Sequence, residues 1–233
     1  MSLTRADWEQ RAQNLKFEGR AFIHGEYRAA ASGATFDCLS PVDGRLLGPV
    51  ASCDQADADL AVQDARATFD SGAWSRLAPV ERKKIMIRFA DLIDAHTEEL
   101  ALLETLDMGK PIGDSTAVDV PAASRAIRWS GEAIDKIYDE VAATAHNELG
   151  LVTREPIGVV AAIVPWNFPL LMTCWKLGPA LATGNSVILK PSEKSPLTGI
   201  RIAQLAIEAG IPAGVFNVLP GFGHTVGKAL ALH

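Results

Sequence analysis

Three short segments carry side chains able to do chemistry: Pro165-Trp166-Asn167-Phe168-Pro169, Lys190-Pro191-Ser192-Glu193, and Gly221-Phe222-Gly223-His224-Thr225-Val226-Gly227. An asparagine amide can donate a hydrogen bond to a reacting group, or it can simply shape a turn between Trp and Phe-Pro. Lys190 and Glu193 can hold a polar ligand, or form a surface pair worth well under ~1 kcal/mol. The glycine run reads like a dinucleotide fingerprint but has one residue too many before its third glycine, so alone it is weak evidence. Phe168, Leu171, Met172 and Trp175 recur at i, i+3, i+4 and i+7, one face of a helix, where ordinary core packing is the plain reading. Cys38, Cys53 and Cys174 are odd in number, widely spaced and without zinc-ligand spacing, as for reduced thiols in a cytosolic protein. Cys174, in Met-Thr-Cys-Trp on an apolar helix, suits a small buried thiol better than an activated thiolate.

The elements that must position these segments alternate. Gly158 to Val164 is a continuous apolar, β-branched run, expected to be a strand buried on both faces of a parallel sheet. A helix over about 170–183, a strand at 186–190, a helix at 196–209, a strand at 215–219 and a helix opening near His224 follow. Strand and helix repeated in this way indicate a doubly wound α/β sheet. Each chemistry-bearing segment follows a strand and precedes a helix, so all three fall on the rim beyond the strand ends, where open parallel sheets bind ligands.

Upstream, residues 1–50 read as short strands and turns, with a hairpin over 20–27. Residues 51–147 read as helical: one from Asp54 as N-cap, a long one from Pro79 to Leu106 stopped by Gly109 and Pro111, and one from about Val118 to Tyr138. The two long helices are expected to pack antiparallel. Residues 148–233 form the strand–helix part of the chain.

The chain has 233 residues and a net charge of −6, which excludes a polyanion partner such as nucleic acid. Its longest apolar run, Val159 to Trp166, is far short of the roughly 20 residues of a membrane helix. The N-terminus has no apolar stretch of the secretory type, so a cytoplasmic protein is expected.

The stretch PWNFPLLMTCWKLGPALATGNSVILKPSEKSPL resembles the aldehyde dehydrogenase superfamily, and the likeness runs from about residue 17 onward. REPIGVVAAIVPWNFPLLMTCWKLGPAL and LALLETLDMGKPI are most similar to the γ-glutamyl-γ-aminobutyraldehyde and related aminoaldehyde dehydrogenases. The resemblance implies NAD as cofactor, an aldehyde as small-molecule substrate, and a homo-oligomeric parent protein. It implies that Asn167 stabilises an oxyanion, that Lys190 and Glu193 hold the adenosine ribose, and that Ile163, Val164, Pro165 and Trp166 line the cofactor cleft. It further implies that Gly223 lets backbone approach the adenine and that Phe168, Leu171, Met172 and Trp175 line a substrate tunnel. Lys176 is implied to be a buried lysine near that tunnel, on a proton path, and Asp119 to lie at its mouth, able to attract a cationic aminoaldehyde. A solvated helix carboxylate explains Asp119 equally well.

The family's Gly-Gln-x-Cys nucleophile motif and Glu-Leu-Gly-Gly base motif do not occur in this sequence. The expectation is therefore a truncated Rossmann-like unit with N-terminal strands and long helices, inactive alone. Alternatives are a nucleotide-binding or interaction remnant, and a CoA-acylating relative.

Overall fold

The computed structural model describes residues 3–233. In chain order it contains α1 (Arg5–Asn14), β1 (Ala21–Ile23), β2 (Glu26–Arg28), β3 (Thr35–Leu39), β4 (Leu46–Ala51), α2 (Gln55–Ser71), α3 (Pro79–Ala95), α4 (Thr97–Met108) and a short α5 (Ile112–Asp114). A π-helical turn (Ser115–Asp119) leads into α6 (Val120–Ala133), then β5 (Glu140–Ala142), β6 (Gly150–Val152), β7 (Val159–Ile163), α7 (Pro169–Ala182), β8 (Ser186–Lys190), α8 (Leu197–Ala209) and β9 (Phe216–Val218). A second π-helical turn (Gly223–Gly227) opens α9 (Lys228–Leu232).

The main sheet has the order β2-β1-β9-β8-β7. β7, β8 and β9 run parallel, with Val160 opposite Val187 and Ile188 opposite Asn217. The β1–β2 hairpin turns through His24 and Gly25, both at positive φ, and joins antiparallel to β9 through Phe22 and Val218. The N-terminal hairpin is thus part of the same sheet that carries the site.

Alternation along the strands divides the core. Val187, Leu189, Phe216, Val218 and Phe22 face one large cluster built from α3, α4, α6, α7 and α8. Ile188, Ala21, Ile23 and Leu219 face the other side, against α2 and α9. Helices therefore cover both faces, the Rossmann-like α/β arrangement.

β7 differs from its expectation. Among the described residues it pairs with β8 alone, and Ala161 and Ile163 are exposed rather than buried on both faces. The strand that meets that description is β8, buried at every residue because it lies between β7 and β9 with helices above and below.

The long helix expected from Pro79 to Leu106 is two. At His96 the backbone turns to φ −101° and ψ 21°, and the Thr97 hydroxyl donates to the Asp94 carbonyl at 2.6 Å. That hydroxyl competes with the backbone ladder, ends α3 and starts α4. α6 is shorter than expected, running from Val120 to Ala133, with the π-turn ahead of it. Pro121 has no N–H to give the Ala117 carbonyl, and Val120 instead donates back to Ser115. α3 and α6 do pack antiparallel: Lys83 pairs with Asp135, Arg128 with Asp91 and Asp94, and the Ser124 hydroxyl reaches the Ala90 carbonyl.

α1 was not expected from the sequence. Its signal is a capping box, in which Thr4 Oγ1 accepts from the Asp7 amide and Asp7 accepts from the Thr4 amide. The expected Asp54 cap opens α2 by the same reciprocal bonding with Asp57.

α7 carries the site and is fixed at its far end. The indole N–H of Trp74 donates to the Leu181 carbonyl at 3.0 Å, and the Arg82 guanidinium to the Ala182 carbonyl at 3.0 Å. A cation on the last carbonyls also complements the helix dipole. No helix among the described residues is long and apolar enough to cross a membrane.

Candidate active site

β7 and β8 end side by side, and the loops beyond them meet. The Val164 amide donates to the Lys190 carbonyl at 3.2 Å, which carries the sheet pairing one residue past β7. The Ser195 hydroxyl donates to the Trp166 carbonyl at 3.1 Å, which ties the loop before α7 to the turn before α8. The chain from Ile163 to Phe168 is thereby held against the chain from Lys190 to Ser195.

Val164 is buried, whereas Ile163, Pro165, Trp166 and Asn167 are exposed along this rim. Trp166 is 54% exposed, an unusual position for so large an apolar side chain unless it meets something outside the described fold. The Asn167 side chain is open to solvent beside it.

Lys190 is 3% exposed, and its ammonium lies 3.2 Å from the Glu193 carboxylate. The lysine half of the pair is thus shielded from solvent, while Glu193 stays partly exposed. Partial burial works against ionisation of Glu193, but its own backbone amide and the Lys190 ammonium outweigh it, so the carboxyl titrates below its usual range. A carboxylate held ionised at a strand end, with a cation beside it, is equipped to accept hydroxyl donors. A cleft lined by Asp37, Leu39, Met108, Trp166, Glu193 and Lys194 opens next to it.

The third segment follows β9. Gly221 has φ +143°, and a Cβ there would stand 2.9 Å from the Cys53 carbonyl oxygen, so only glycine suits this bend. Gly223 opens the second π-turn, and a Cβ there would meet nothing within 4 Å. The space over Gly223 is open, which fits a backbone that a flat ligand can approach. Phe222, between them, packs on Phe36 with ring centroids 5.1 Å apart and stacks with His224.

The helical stripe is not core. Leu171 and Met172 are half-buried, while Phe168 and Trp175 are exposed. Trp175 is set apart from the other three in a cleft with Ala126, Trp129 and Pro179 of α6 and α7. The buried face of α7 is instead Leu170, Thr173, Cys174, Leu177 and Leu181. Lys176 follows from that phase: it is exposed, where a buried lysine was expected.

Asp119 is also corrected. It is neither at an open mouth nor solvated, being 1% exposed and paired with the Lys110 ammonium. That ammonium lies 3.7 Å from the centroid of the Phe168 ring, so Asp119 reaches the rim only through Lys110. Lys110, Glu104 and Ser195 were not singled out from the sequence. Glu104 left a signal, as an acid inside the apolar run Leu100 to Leu106.

Cys174 is fully buried, and burial pushes its thiol well above the usual range, so it is protonated at neutral pH. Burial raises Cys38 and Cys53 in the same sense.

Taken together, an α/β sheet with a Trp-Asn-Phe rim, a Lys/Glu pair at the neighbouring strand end and an open glycine beyond the third strand make up one edge of a Rossmann-like unit. Residues 27–233 match the model of the aldehyde dehydrogenase family, and the chain belongs to it. It is 58% identical over 228 residues to the NADP/NAD-dependent aldehyde dehydrogenase PuuC of Escherichia coli, covering 98% of this chain and 46% of that protein. Among solved structures, a mutant of P. syringae AldA indole-3-acetaldehyde dehydrogenase in complex with NAD+ and IAA superposes with a TM-score of 0.99 at 80% identity, over 100% of this chain and 47% of that one. The γ-glutamyl-γ-aminobutyraldehyde dehydrogenase of Burkholderia cenocepacia superposes with a TM-score of 0.98 at 63% identity, over 99% and 47%. The chain spans about half the length of the relatives it matches.

Proposed function

We propose that this chain is the cofactor-binding part of an enzyme that oxidises an aldehyde to its carboxylic acid with NAD. The observation that carries the reading is the joined rim: the Asn167 loop and the Lys190/Glu193 pair are held together by the Ser195–Trp166 and Val164–Lys190 bonds. Glu193 accepts the ribose hydroxyls, with Lys190 beside them, and a carboxylate there favours a free hydroxyl over a 2′-phosphate. Ile163, Val164, Pro165 and Trp166 wall the cleft, and Gly223 leaves room for the adenine. NAD, when bound, supplies the hydride acceptor. Asn167 donates its amide to the oxygen that becomes negative when the aldehyde carbon is attacked, a donor whose loss typically costs ~10²–10³ in rate. No cysteine of this chain is placed to attack, since Cys38, Cys53 and Cys174 are all buried.

Phe168, Leu171 and Met172 form the apolar start of the substrate passage. The substrate is an aminoaldehyde of the kind for which the Burkholderia relative is named. A second reading, an aryl acetaldehyde, is favoured by the aromatic exposure of Trp166, Phe168 and Trp175 and by the name of the 80% identical relative. Because Asp119 is already paired, it offers no free charge to a cationic substrate, which removes one argument for the aminoaldehyde.

The test is the intact mass of the gene product, with NADH formation from γ-aminobutyraldehyde and from indole-3-acetaldehyde. Turnover of either, reduced ~10²–10³-fold in kcat by Asn167→Ala with NAD affinity retained, supports the proposal and selects the substrate. A gene product that binds NAD but oxidises no aldehyde makes this a nucleotide-binding remnant, and one that binds no NAD overturns the reading entirely.

A further inference from the structure

Glu104, on α4, is 0% exposed, and neither of its carboxylate oxygens has a hydrogen-bond partner among the described residues. A buried carboxyl left like this is costly, so its surroundings must explain it. The nearest cation is the Lys110 ammonium, 4.0 Å away. That ammonium is already paired with the buried Asp119, which closes the first π-turn. On its other side it lies 3.7 Å from the centroid of the Phe168 ring, in cation–π contact. Lys110 itself is nearly buried, with 12% of its side chain exposed.

Two carboxylates and one ammonium in a buried site carry one negative charge too many if all ionise. Like charges this close favour keeping one proton on the pair. Asp119 has the lysine in contact, whereas Glu104 lies against the Asp119 carboxylate with only the Leu170 amide to offset it, so the proton belongs on Glu104. Burial, reinforced by Asp119, pushes the Glu104 carboxyl up to about 8. With the proton on Glu104, the Lys110–Asp119 pair balances and the cluster carries no net charge.

Phe168 adjoins Asn167 and is the last residue before α7. Its ring is 38% exposed, and the Lys110 ammonium is the charged group that holds its face. We propose that Lys110 is a positioning residue, anchored by Asp119 and Glu104, which clamps the Phe168 ring and thereby fixes the Asn167 turn. The catalytic consequence rests on the oxyanion role of Asn167 proposed above, whereas the clamp itself does not.

The experiment measures, in this chain at constant pH, amide hydrogen exchange of Met172, whose N–H donates to the Phe168 carbonyl at 2.8 Å, and of Val164, whose N–H donates to the Lys190 carbonyl at the other end of the loop. Lys110→Met is expected to speed exchange there about tenfold, with β8 and α8 unchanged, and Lys110→Arg, which keeps the cation, to hold it near the wild-type rate. Asp119→Asn should loosen the same amides, because it releases the anchor. Glu104→Gln should leave them unchanged, since an amide copies a neutral carboxyl. A folded Lys110→Met or Asp119→Asn chain whose turn exchanges like wild type overturns the clamp. If Glu104→Gln loosens the turn as much as Asp119→Asn does, the placement of the proton is wrong and the neutral anchor with it. In the gene product, Lys110→Met should lower kcat about tenfold and leave the KM for NAD unchanged. A loosened turn in a gene product without aldehyde turnover would leave the clamp standing and sink only the oxyanion reading.

Discussion

The Ser195 hydroxyl donates to the main-chain carbonyl of Trp166 at 3.1 Å and so links the loop after β7 to the turn before α8. Ser195 is fully buried, so this carbonyl has an internal partner where β7 has already lost its ladder. Ser195→Ala would leave the carbonyl without that donor, and a loss of about 1–3 kcal/mol of stability is expected from urea unfolding. The same variant should weaken NAD binding in a fluorescence titration, because both walls of the cleft hang on the bond. Unchanged stability and affinity together would mean that the Val164–Lys190 bond and packing hold the two loops without Ser195.

The buried Glu104 sets a pH dependence. Its carboxyl is raised from 4.5 to about 8, foremost by burial, so the folded chain keeps a proton that the unfolded chain releases. The stability it contributes is fully present below its ordinary value and drains away as pH rises through that window. Asp107, raised to about 7 by burial, acts in the same direction. Wild-type unfolding temperature should therefore fall as pH rises from about 4 to about 8 and level off above that. Glu104→Gln should make that fall shallower throughout and remove it between about pH 7 and 8, leaving the Asp107 part below. Parallel curves for the two proteins would show that Glu104 is ionised when folded.

Gly221 and Gly223 make opposite predictions two residues apart. Gly221→Ala forces a side chain onto φ +143° and against the Cys53 carbonyl, at a cost of about 1–3 kcal/mol in folding. Gly223→Ala meets open space, so unfolding should shift by no more than about 0.5 kcal/mol. Only the second is expected to keep the fold while reducing NAD affinity. Calorimetric unfolding and a nucleotide titration separate the two, and an NAD affinity unaffected by Gly223→Ala would remove that position from the adenine site.

Much of the fold could be read from residue order. β8 was placed at its observed ends, α7 and α8 to within a residue, and the Asp54 cap and the Gly109 stop as found. These features depend on local periodicity and capping chemistry, which a linear sequence displays. The exposure of Ala161 and Ile163 in this chain was not legible, because an apolar run of five residues looks the same with one strand neighbour as with two. Only the pairing order distinguishes them. The break at His96 was hidden for the reverse reason: a single threonine hydroxyl decides it within an otherwise continuous helical pattern.

At the site, sequence gave the segments but not their depth. Lys176 and Asp119 exchanged their expected environments, since the phase of α7 turns one outward and the π-turn before α6 carries the other inward. Glu104 and Lys110 were invisible as partners because their contact with Phe168 exists only after α4 packs beside the start of α7.

The pairing of Phe22 with Val218 places the beginning of the described chain in the middle of its own sheet. A two-stranded hairpin is marginal by itself in water. During synthesis at ~5–20 residues per second, β1 and β2 wait on the order of ten seconds or longer before their neighbouring strand leaves the ribosome. Through that interval Phe22 and Ile23 lack the strand they pair beside, so the hairpin joins the sheet only late in synthesis.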